Sequence, residues 1–584
     1  MYKGQCSLFQ EENMKAKKKL ISILLVIVVV VLSLGVLTAC GETPGETSKN
    51  KKAVVICTAL LSGGLYDTKT NEAIWDPVAE GVYFQQVFPG GDMMGLVMAV
   101  LTDKTTYDLI GGIMKYKDES VENLLWQITL DEQGKSNNPN LRPANVRPTT
   151  ADGTFKSTLY NDSGEVVDGY GAYTAGEKIQ YGAIAAYRQQ CLDLKARYEK
   201  QGWDVVVFNY DWRIDNRINS ELLEQFIQTN GWEEVILTSH SMGGPVVAGY
   251  IARLQNKWLE AEAEAQKNHT TQTAVKKPSD IIRAYRAFSP ATAGSLDAIY
   301  YLDDPIGAIA DVVNGTVGDT LGGVVLGVDA ISEGIKKLAG PLAQNLTSVM
   351  QLLPFQTFAD SDYYGENESP VYVDGVPVTN MYEWYCSRPW AHTSDWKPGV
   401  DGIYDKLKPG MKNLPAYWDS FYVKESVNDK DANVYAPELV NTTYCLGVGY
   451  NTKKSVQIVT KDTDTVKVNK VTYEMWDTKN HKYDTPLTSI EYYSYDHKAI
   501  LFGDGDGTMP TNACLGGLNY NGDKTISNTK GRAIYPLPEA RQTTTICYYN
   551  TNHGTVGGYW DVLKWDFYEM MDKIIVEDEI NPFF

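Results

Sequence analysis

The sequence predicts an α/β protein built on a doubly wound, mainly parallel sheet. Short, mainly apolar runs occur at residues 53–57, 203–208 and 235–237, as expected for strands that are buried on both faces. Between them, residues 179–201 and 220–229 carry apolar side chains at helical spacing. Strands that alternate with helices in this way indicate a parallel sheet with helices packed against it.

Length and composition limit the domain organisation and the class of partner. The chain has 584 residues, of which 43% are hydrophobic, and a net charge of −20. A chain of this length exceeds one simple core, and the negative charge argues against a nucleic-acid partner. We expect a signal peptide (1–39), a tether (40–52), a core in two parts (53–294 and 439–584), an irregular insertion (about 66–178), a cap or lid (295–438) and β-hairpins (about 456–495).

The N-terminus has the layout of an export signal. Lysines at positions 15 and 17–19 precede an uncharged, mostly apolar run that ends in Leu37-Thr-Ala-Cys40. This ending resembles the lipoprotein box of bacterial lipoproteins, in which Cys40 would be lipidated and become the mature N-terminus. An uncleaved membrane-spanning helix is the alternative, because about 18 apolar residues can cross a bilayer. We expect an exported protein, anchored by lipid on the outer face of the bacterial cytoplasmic membrane.

A short motif follows the strand at residues 235–237. Ser239-His240-Ser241-Met242-Gly243 separates that strand from apolar residues at helical spacing, which is the context of the nucleophile elbow of the α/β-hydrolase fold. Ser241 would be the exposed nucleophile, and the Met242 N–H at the helix N-terminus would face a developing oxyanion. His240 is expected to point to the other side of the turn. A chance Ser-x-Ser-x-Gly is the alternative, which the flanking strand and helix disfavour.

The chain order of this fold then selects the acid and the base. A carboxylate should follow a late strand and a histidine should follow the carboxylate. Asp504 and Asp506 follow the apolar residues 499–502, and of the six histidines only His553 lies beyond them. One aspartate would orient His553 and the other would shape the loop. A solvated side chain is the alternative for a lone loop histidine.

The sequence offers no metal or cofactor site. Gly503-Asp-Gly-Asp-Gly-Thr508 looks like part of an EF-hand loop, but it lacks the glutamate at the twelfth position and the flanking helices. The six cysteines after Cys40 form no Cys-x-x-Cys pair, so a zinc or redox motif is not indicated. We therefore expect chemistry that needs neither a cofactor nor a metal.

Several motifs resemble the lecithin:cholesterol acyltransferase family, which includes lysosomal phospholipase A2 and the phospholipid:diacylglycerol acyltransferases. Members carry Tyr-Asp-Trp-Arg before the nucleophile, as at residues 210–213, and a Gly-Asp-Gly-Asp acid loop, as at residues 503–506. Their elbow, Gly-His-Ser-Met/Leu-Gly, is similar to residues 239–243. Their first loop, Pro-Gly-x-x-Gly-Ser-x-Leu, is loosely similar to residues 58–65, where Thr58-Ala59 replaces Pro-Gly.

The resemblance implies roles for individual residues. Ser241 would be the nucleophile, Asp506 the acid and His553 the base, with the Leu60 and Met242 N–H groups as oxyanion donors. Cys445 and Cys514 lie near positions that the family joins by a disulfide. The resemblance also implies a phospholipid or acylglycerol ester as substrate, bound at a membrane.

Two function classes follow from these residues. The first is a lipid ester hydrolase or acyltransferase that works through an acyl-enzyme. The second is a catalytically inactive, surface-displayed binding lipoprotein of the same fold, suggested by Ser239 and Thr58-Ala59 in place of the usual glycines and proline. Residues 307–340, rich in Gly, Ala and Val, would be either a packed element of the cap or a lid that meets lipid.

Overall fold

The computed structural model describes twenty-one stretches of the chain. They are residues 50–67, 72–75, 127–148, 155–160, 166–167, 172–173, 185–272, 274–303, 305, 343–361, 363–364, 367–428, 433–448, 450–458, 471–477, 482–490, 499–515, 532–536, 543–549, 551–553 and 562–578.

A seven-stranded sheet forms the centre of the protein. In chain order its strands are β1 (Lys52–Cys57), β2 (Trp203–Phe208), β3 (Glu234–His240), β4 (Ile282–Phe288), β5 (Thr442–Val448), β6 (Arg532–Pro536) and β7 (Thr543–Tyr549). The spatial order is β6-β7-β5-β4-β3-β1-β2. Six strands are parallel, and β6 pairs antiparallel with β7 at one edge. The predicted mixed α/β class with a mainly parallel sheet is therefore confirmed.

Helices cover both faces of this sheet. They are α1 (Ala185–Tyr198), α2 (Asn216–Thr229), α3 (Gly243–Lys267) and α4 (Val562–Ile575). α2 and α3 share one buried cluster with Val55 and Leu237, whereas α1 and α4 share the other with Val54 and Ile236. Adjacent residues of a strand point to opposite faces, so the two clusters are the two sides of the sheet.

The helices α1 and α3 can be compared with the spans that the sequence predicted. The face predicted for α1 is buried as expected, at Tyr187, Cys191, Leu194 and Tyr198, but residues 179–184 lie outside the described residues. α3 continues to Lys267, beyond the apolar residues that predicted the helix. Ala, Glu, Gln and Lys favour helix, so the helix continues beyond the end of its apolar face.

The insertion predicted as irregular contains a second sheet. Its antiparallel strands are Leu65–Asp67, Glu72–Trp75, Leu141–Pro148, Phe155–Tyr160, Val166–Val167 and Ala172–Tyr173. The prediction of irregular structure was wrong for these residues. The strands are short, and Leu65 pairs with Pro143 far along the chain, so local periodicity carries little signal of the sheet.

The region after β4 is mainly short helices and strands. The helices are Pro278–Ile281 before β4, then Leu296–Asp303, Thr347–Gln351, Gln356–Ala359, Met381–Cys386, Pro409–Lys412 and Leu414–Asp419, with 3₁₀ turns at Pro389–Ala391 and Ala436–Leu439. Short antiparallel pairs join Val371–Val373 to Val376–Pro377 and Tyr422–Lys424 to Asn433–Tyr435. Aromatic side chains of this region, including Phe355 and Phe421, join the α2–α3 side of the core.

The strands before the acid loop belong to two further sheets, and in the first of them Val371–Val373 pairs parallel with Tyr450–Ile458. Tyr450–Ile458 pairs antiparallel with Ala499–Gly505, and Val471–Asp477 pairs antiparallel with Lys482–Ile490. A helix of four residues, Thr511–Cys514, follows the loop.

Some predictions fall outside the described residues. These are the signal peptide, Cys40 and most of the tether, and the apolar segment 307–340. Among the helices of the described stretches, none is both long and apolar enough to cross a membrane.

Candidate active site

Ser241 lies on a strained turn at the carboxyl end of β3. Its φ is 51°, a left-handed conformation that a side chain other than glycine rarely adopts. Its N–H donates to the Phe288 carbonyl (3.1 Å), and its carbonyl accepts from Gly244 and Ala291 (both 2.9 Å). Neighbouring backbone thus holds the serine in a costly conformation, a feature that is frequent at functional sites.

Small residues allow the strand and the helix to approach each other at this turn. A Cβ on Gly243 would lie 2.7 Å from the Thr58 carbonyl oxygen, and one on Gly244 would lie 2.3 Å from Pro290. Ser239, which replaces the usual glycine, is buried, and its hydroxyl bonds to the Tyr285 hydroxyl at 2.7 Å. The extra hydroxyl therefore has a polar partner.

Asp506 and His553 form a direct pair. His553 Nδ1 lies 2.8 Å from Asp506 Oδ2, and the His553 N–H donates to the Asp506 carbonyl at 2.9 Å. The other carboxylate oxygen, Oδ1, accepts from the N–H groups of Thr508 (3.0 Å) and Met509 (2.7 Å). The Asp506 side chain is 1% exposed and that of His553 is 16% exposed. The carboxylate is therefore more deeply buried than the imidazole that it contacts.

The electrostatics of this pair favour an ionised carboxylate. Burial alone would raise the pKa of Asp506, but His553, the Met509 N–H and the Ser289 hydroxyl together hold it below its usual range. A buried carboxylate against one ring nitrogen fixes the imidazole tautomer and stabilises its protonated form. The prediction that one of the two aspartates orients His553 corresponds to Asp506 in the structure, whereas Asp504 lies in the strand Ala499–Gly505.

The ends of β4 and β5 bring the acid loop and the base loop together. A Cβ on Gly447 would lie 2.2 Å from the Thr551 carbonyl oxygen and 2.8 Å from Asp506 Cβ, so only glycine fits there. Ser289, with a φ of 36°, directly follows β4 and supplies a hydroxyl to Asp506. Sequence reasoning missed this residue, although its position beside the nucleophile strand was a usable signal.

The loop after β1 lies against the start of α3, as the close approach of Gly243 to Thr58 shows. Ala59–Ser62 is a turn closed by a 3.2 Å bond from the Ser62 N–H to the Ala59 carbonyl, with Leu61 at a φ of 63°. Leu60 is half-buried in this turn. Met242 is the N-cap of α3, where the first N–H groups lack partners within the helix.

Tyr-Asp-Trp-Arg, which the sequence marked as a motif, holds this loop. The Tyr210 hydroxyl donates to the Thr58 carbonyl (2.8 Å), and the Trp212 indole N–H donates to the Gly63 carbonyl (3.1 Å). The Arg213 guanidinium forms two 2.8 Å bonds to the two carboxylate oxygens of Asp211. The motif therefore fixes the backbone on both sides of Leu60.

His240, which was expected on the other side of the turn from Ser241, contacts the loop that carries His553. Its Nε2 lies 3.1 Å from the His553 carbonyl oxygen, and the two imidazole rings are 4.6 Å apart. These contacts bring the loop that carries His553 against the turn that carries Ser241. The sequence expectation covered the turn alone and did not include these contacts, which depend on the packing of the loop from β7 against it.

Cys445 and Cys514 are not joined by a disulfide, since both are thiols. The Cys445 side chain belongs to the core on the α1–α4 side of the sheet, whereas Cys514 belongs to the core on the α2–α3 side. The pairing implied by the family resemblance is therefore corrected.

Within the stretches that the structure describes, no three His, Cys, Asp or Glu side chains are grouped as a metal site requires. His392 bonds with both ring nitrogens to backbone carbonyls, of Asp405 and Cys386, at 2.8 Å each. Both ring nitrogens of His392 are therefore used in hydrogen bonds that hold a loop.

The fold and the site define a mixed α/β protein with a strained serine turn beside a buried aspartate–histidine pair. No protein family and no curated protein matches the sequence. Among solved structures, the chain is similar to one described as the crystal structure of the Tle4-Tli4 complex, with a TM-score of 0.37 and 12% identity. That similarity covers 80% of this chain and 86% of the other, and at this level it supports no conclusion about fold or activity.

Proposed function

We propose that this protein is a serine-dependent lipid ester hydrolase or acyltransferase with an α/β-hydrolase fold, akin to the lecithin:cholesterol acyltransferase family. The observation that carries the proposal is the 2.8 Å bond between His553 Nδ1 and buried Asp506, on a loop that contacts the turn of Ser241. A nucleophile, a base and an acid on loops that meet beside the carboxyl ends of β3, β4 and β5 suit acyl transfer.

The mechanism follows from the order of these groups. Ser241 attacks the ester carbonyl while its proton passes to Nε2 of His553, and Asp506 stabilises the resulting imidazolium. The N–H groups of Met242 and Leu60 stabilise the oxyanion. The intermediate then expels the alcohol, which takes the proton from His553. Water or a second alcohol attacks the acyl-enzyme with His553 again as base, and Ser241 is regenerated.

The cellular setting of the proposal comes from the N-terminal sequence. Lipidation at Cys40 would hold the exported protein on the outer face of a bacterial cytoplasmic membrane, within reach of lipid esters. A net charge of −20 disfavours strongly anionic membranes, so neutral or zwitterionic lipids are the expected substrates. Residues 307–340 are the proposed membrane-facing part of the cap. The chemistry requires no cofactor.

A fluorophosphonate probe tests the proposal directly, because it labels only activated serines. The mature protein should be labelled at Ser241, with a 1:1 mass increase, and Ser241→Ala should not be labelled. Ser239→Ala is the matched control, since it removes a hydroxyl two residues away and should still be labelled. Folded wild-type protein that resists the probe would support the inactive binding lipoprotein instead.

A further inference from the structure

A chain of buried hydrogen bonds starts at His553 and leads away from the Asp506 side. The His553 carbonyl contacts His240 Nε2 (3.1 Å), and His240 Nδ1 contacts the Tyr187 hydroxyl (2.6 Å). Tyr187 and His240 are 2% and 7% exposed. Both polar side chains are therefore well buried, next to the proposed base but outside the proposed triad.

The chemistry of the partners fixes the direction of these bonds. A carbonyl oxygen only accepts, so Nε2 of His240 carries the hydrogen and donates to His553. In the neutral ring Nδ1 is then the acceptor, and the Tyr187 hydroxyl donates to it. Burial first, and then the charge of His553, lower the pKa of His240 well below its ordinary value, whereas Asp506 acts in the opposite direction. His240 is thus neutral.

Tyr187 also contacts the Ala59–Ser62 turn in the loop after β1. Burial raises the pKa of Tyr187, and hydrogen bonds from the Ala59 backbone and the Ser62 side chain partly oppose that rise. Ala59 and Ser62 close the turn that contains Leu60. One tyrosine, at the start of α1, therefore contacts both the loop after β1 and the histidine that holds the base loop.

We propose that Tyr187 and His240 form a buried brace, a pair of positioning residues that sets His553 and the Ala59–Ser62 turn relative to Ser241. The proposal rests on the function proposed above. Asp506 fixes the ring of His553, and the brace fixes the backbone that carries this ring. A displacement of about 1 Å at such a group costs on the order of 10²-fold in rate.

Tyr187→Phe and His240→Ala test the brace. Each should lower kcat, by about tenfold and by about 100-fold respectively, with KM nearly unchanged, because reacting groups are misplaced while binding is not. The acid limb of the kcat/KM profile should also move to lower pH, since a loosely held His553 gains less from Asp506. His240→Gln keeps an N–H donor for the His553 carbonyl and should recover most of the loss.

Tyr198→Phe is the matched control. Tyr198 lies on the same helix and is buried, but its hydroxyl bonds to Asp572 Oδ1 at 2.8 Å. This variant should keep the wild-type kcat and the wild-type acid limb. Equal losses in Tyr187→Phe and Tyr198→Phe with an unmoved acid limb, or wild-type kcat in His240→Ala, would overturn the brace. If His240→Ala does not fold, Tyr187→Phe decides, because it removes a single oxygen.

If the proposed function fails, the result differs from the one expected when only the brace fails. Wild-type protein would then resist the fluorophosphonate probe, and the brace would be judged by nitrogen NMR of histidine-labelled protein. His240 in the Nε2–H tautomer supports the brace, and the Nδ1–H tautomer overturns it.

Discussion

Asp506→Asn tests the proposed acid most sharply, because the surrounding backbone dictates what the new amide can do. Oδ1 of Asp506 accepts two N–H groups, from Thr508 and Met509. An asparagine must keep its oxygen on that side, so its NH₂ group faces His553 Nδ1. The imidazole must then accept at Nδ1 and carry its hydrogen on Nε2, where it cannot take the proton of Ser241.

The expected loss in kcat is about 10⁴-fold, as in other triads with this change, which corresponds to about 5 kcal/mol of transition-state stabilisation. The assay is ester turnover by protein whose thermal unfolding shows that it is folded. Asp504→Asn is the matched control and should cost far less. A larger loss in Asp504→Asn than in Asp506→Asn would refute the reasoning and move the acid to Asp504.

Three further predictions concern the nucleophile, the pH dependence of stability and the substrate. Ser241→Ala should leave unfolding unchanged and lower esterase activity by roughly three orders of magnitude or more; near-normal turnover would remove the serine from the mechanism. Because the pKa of His240 is lowered well below its ordinary value, the unfolded chain binds a proton first below about pH 6.5, and stability should fall there by up to about 1.4 kcal/mol per pH unit. Urea denaturation should show that His240→Gln lacks this slope, and a wild-type slope in the variant would mean that another group titrates. The mature protein should cleave zwitterionic phospholipid vesicles faster than a short-chain soluble ester at equal ester concentration, and equal rates would indicate a general esterase.

The central sheet could be predicted because its strands are buried on both faces. Lys52–Cys57 and Trp203–Phe208 are nearly continuous apolar runs, a pattern that few other elements produce. The pairing of His553 with an aspartate of the acid loop followed from chain order, since only one histidine lies downstream. The first inference needed only the residues of each strand, and the second needed only the order of residues along the chain.

The parts that could not be predicted depend on contacts between distant residues. The strand Leu65–Asp67 pairs with Leu141–Pro148, so its sheet has no local signal. Cys445 and Cys514 are buried in different core clusters, because the helix Thr511–Cys514 packs on one side of the sheet only, and a motif comparison ignores this packing. The contacts of His240 could not be predicted because its partners, Tyr187 and His553, lie 53 and 313 positions away.

In the sequence Tyr-Asp-Trp-Arg is only a motif, and the structure gives it a physical role that can be tested. Tyr210 donates to the Thr58 carbonyl and Trp212 to the Gly63 carbonyl, on the two sides of Leu60. Tyr210→Phe would leave a buried carbonyl without this donor, which should cost about 1–3 kcal/mol of stability. The loosened loop should also present the Leu60 N–H poorly to the oxyanion.

A matched variant separates the two effects of that change. Tyr364 also donates its hydroxyl to a backbone carbonyl, that of Lys454 at 2.7 Å, and is buried outside the site. Tyr364→Phe should lose a similar amount of stability with unchanged kcat, whereas Tyr210→Phe should lose both stability and kcat at constant KM, because oxyanion donors act in the transition state. If the two variants keep the same kcat, the motif serves folding alone, and Leu60 is not an oxyanion donor held by Tyr210.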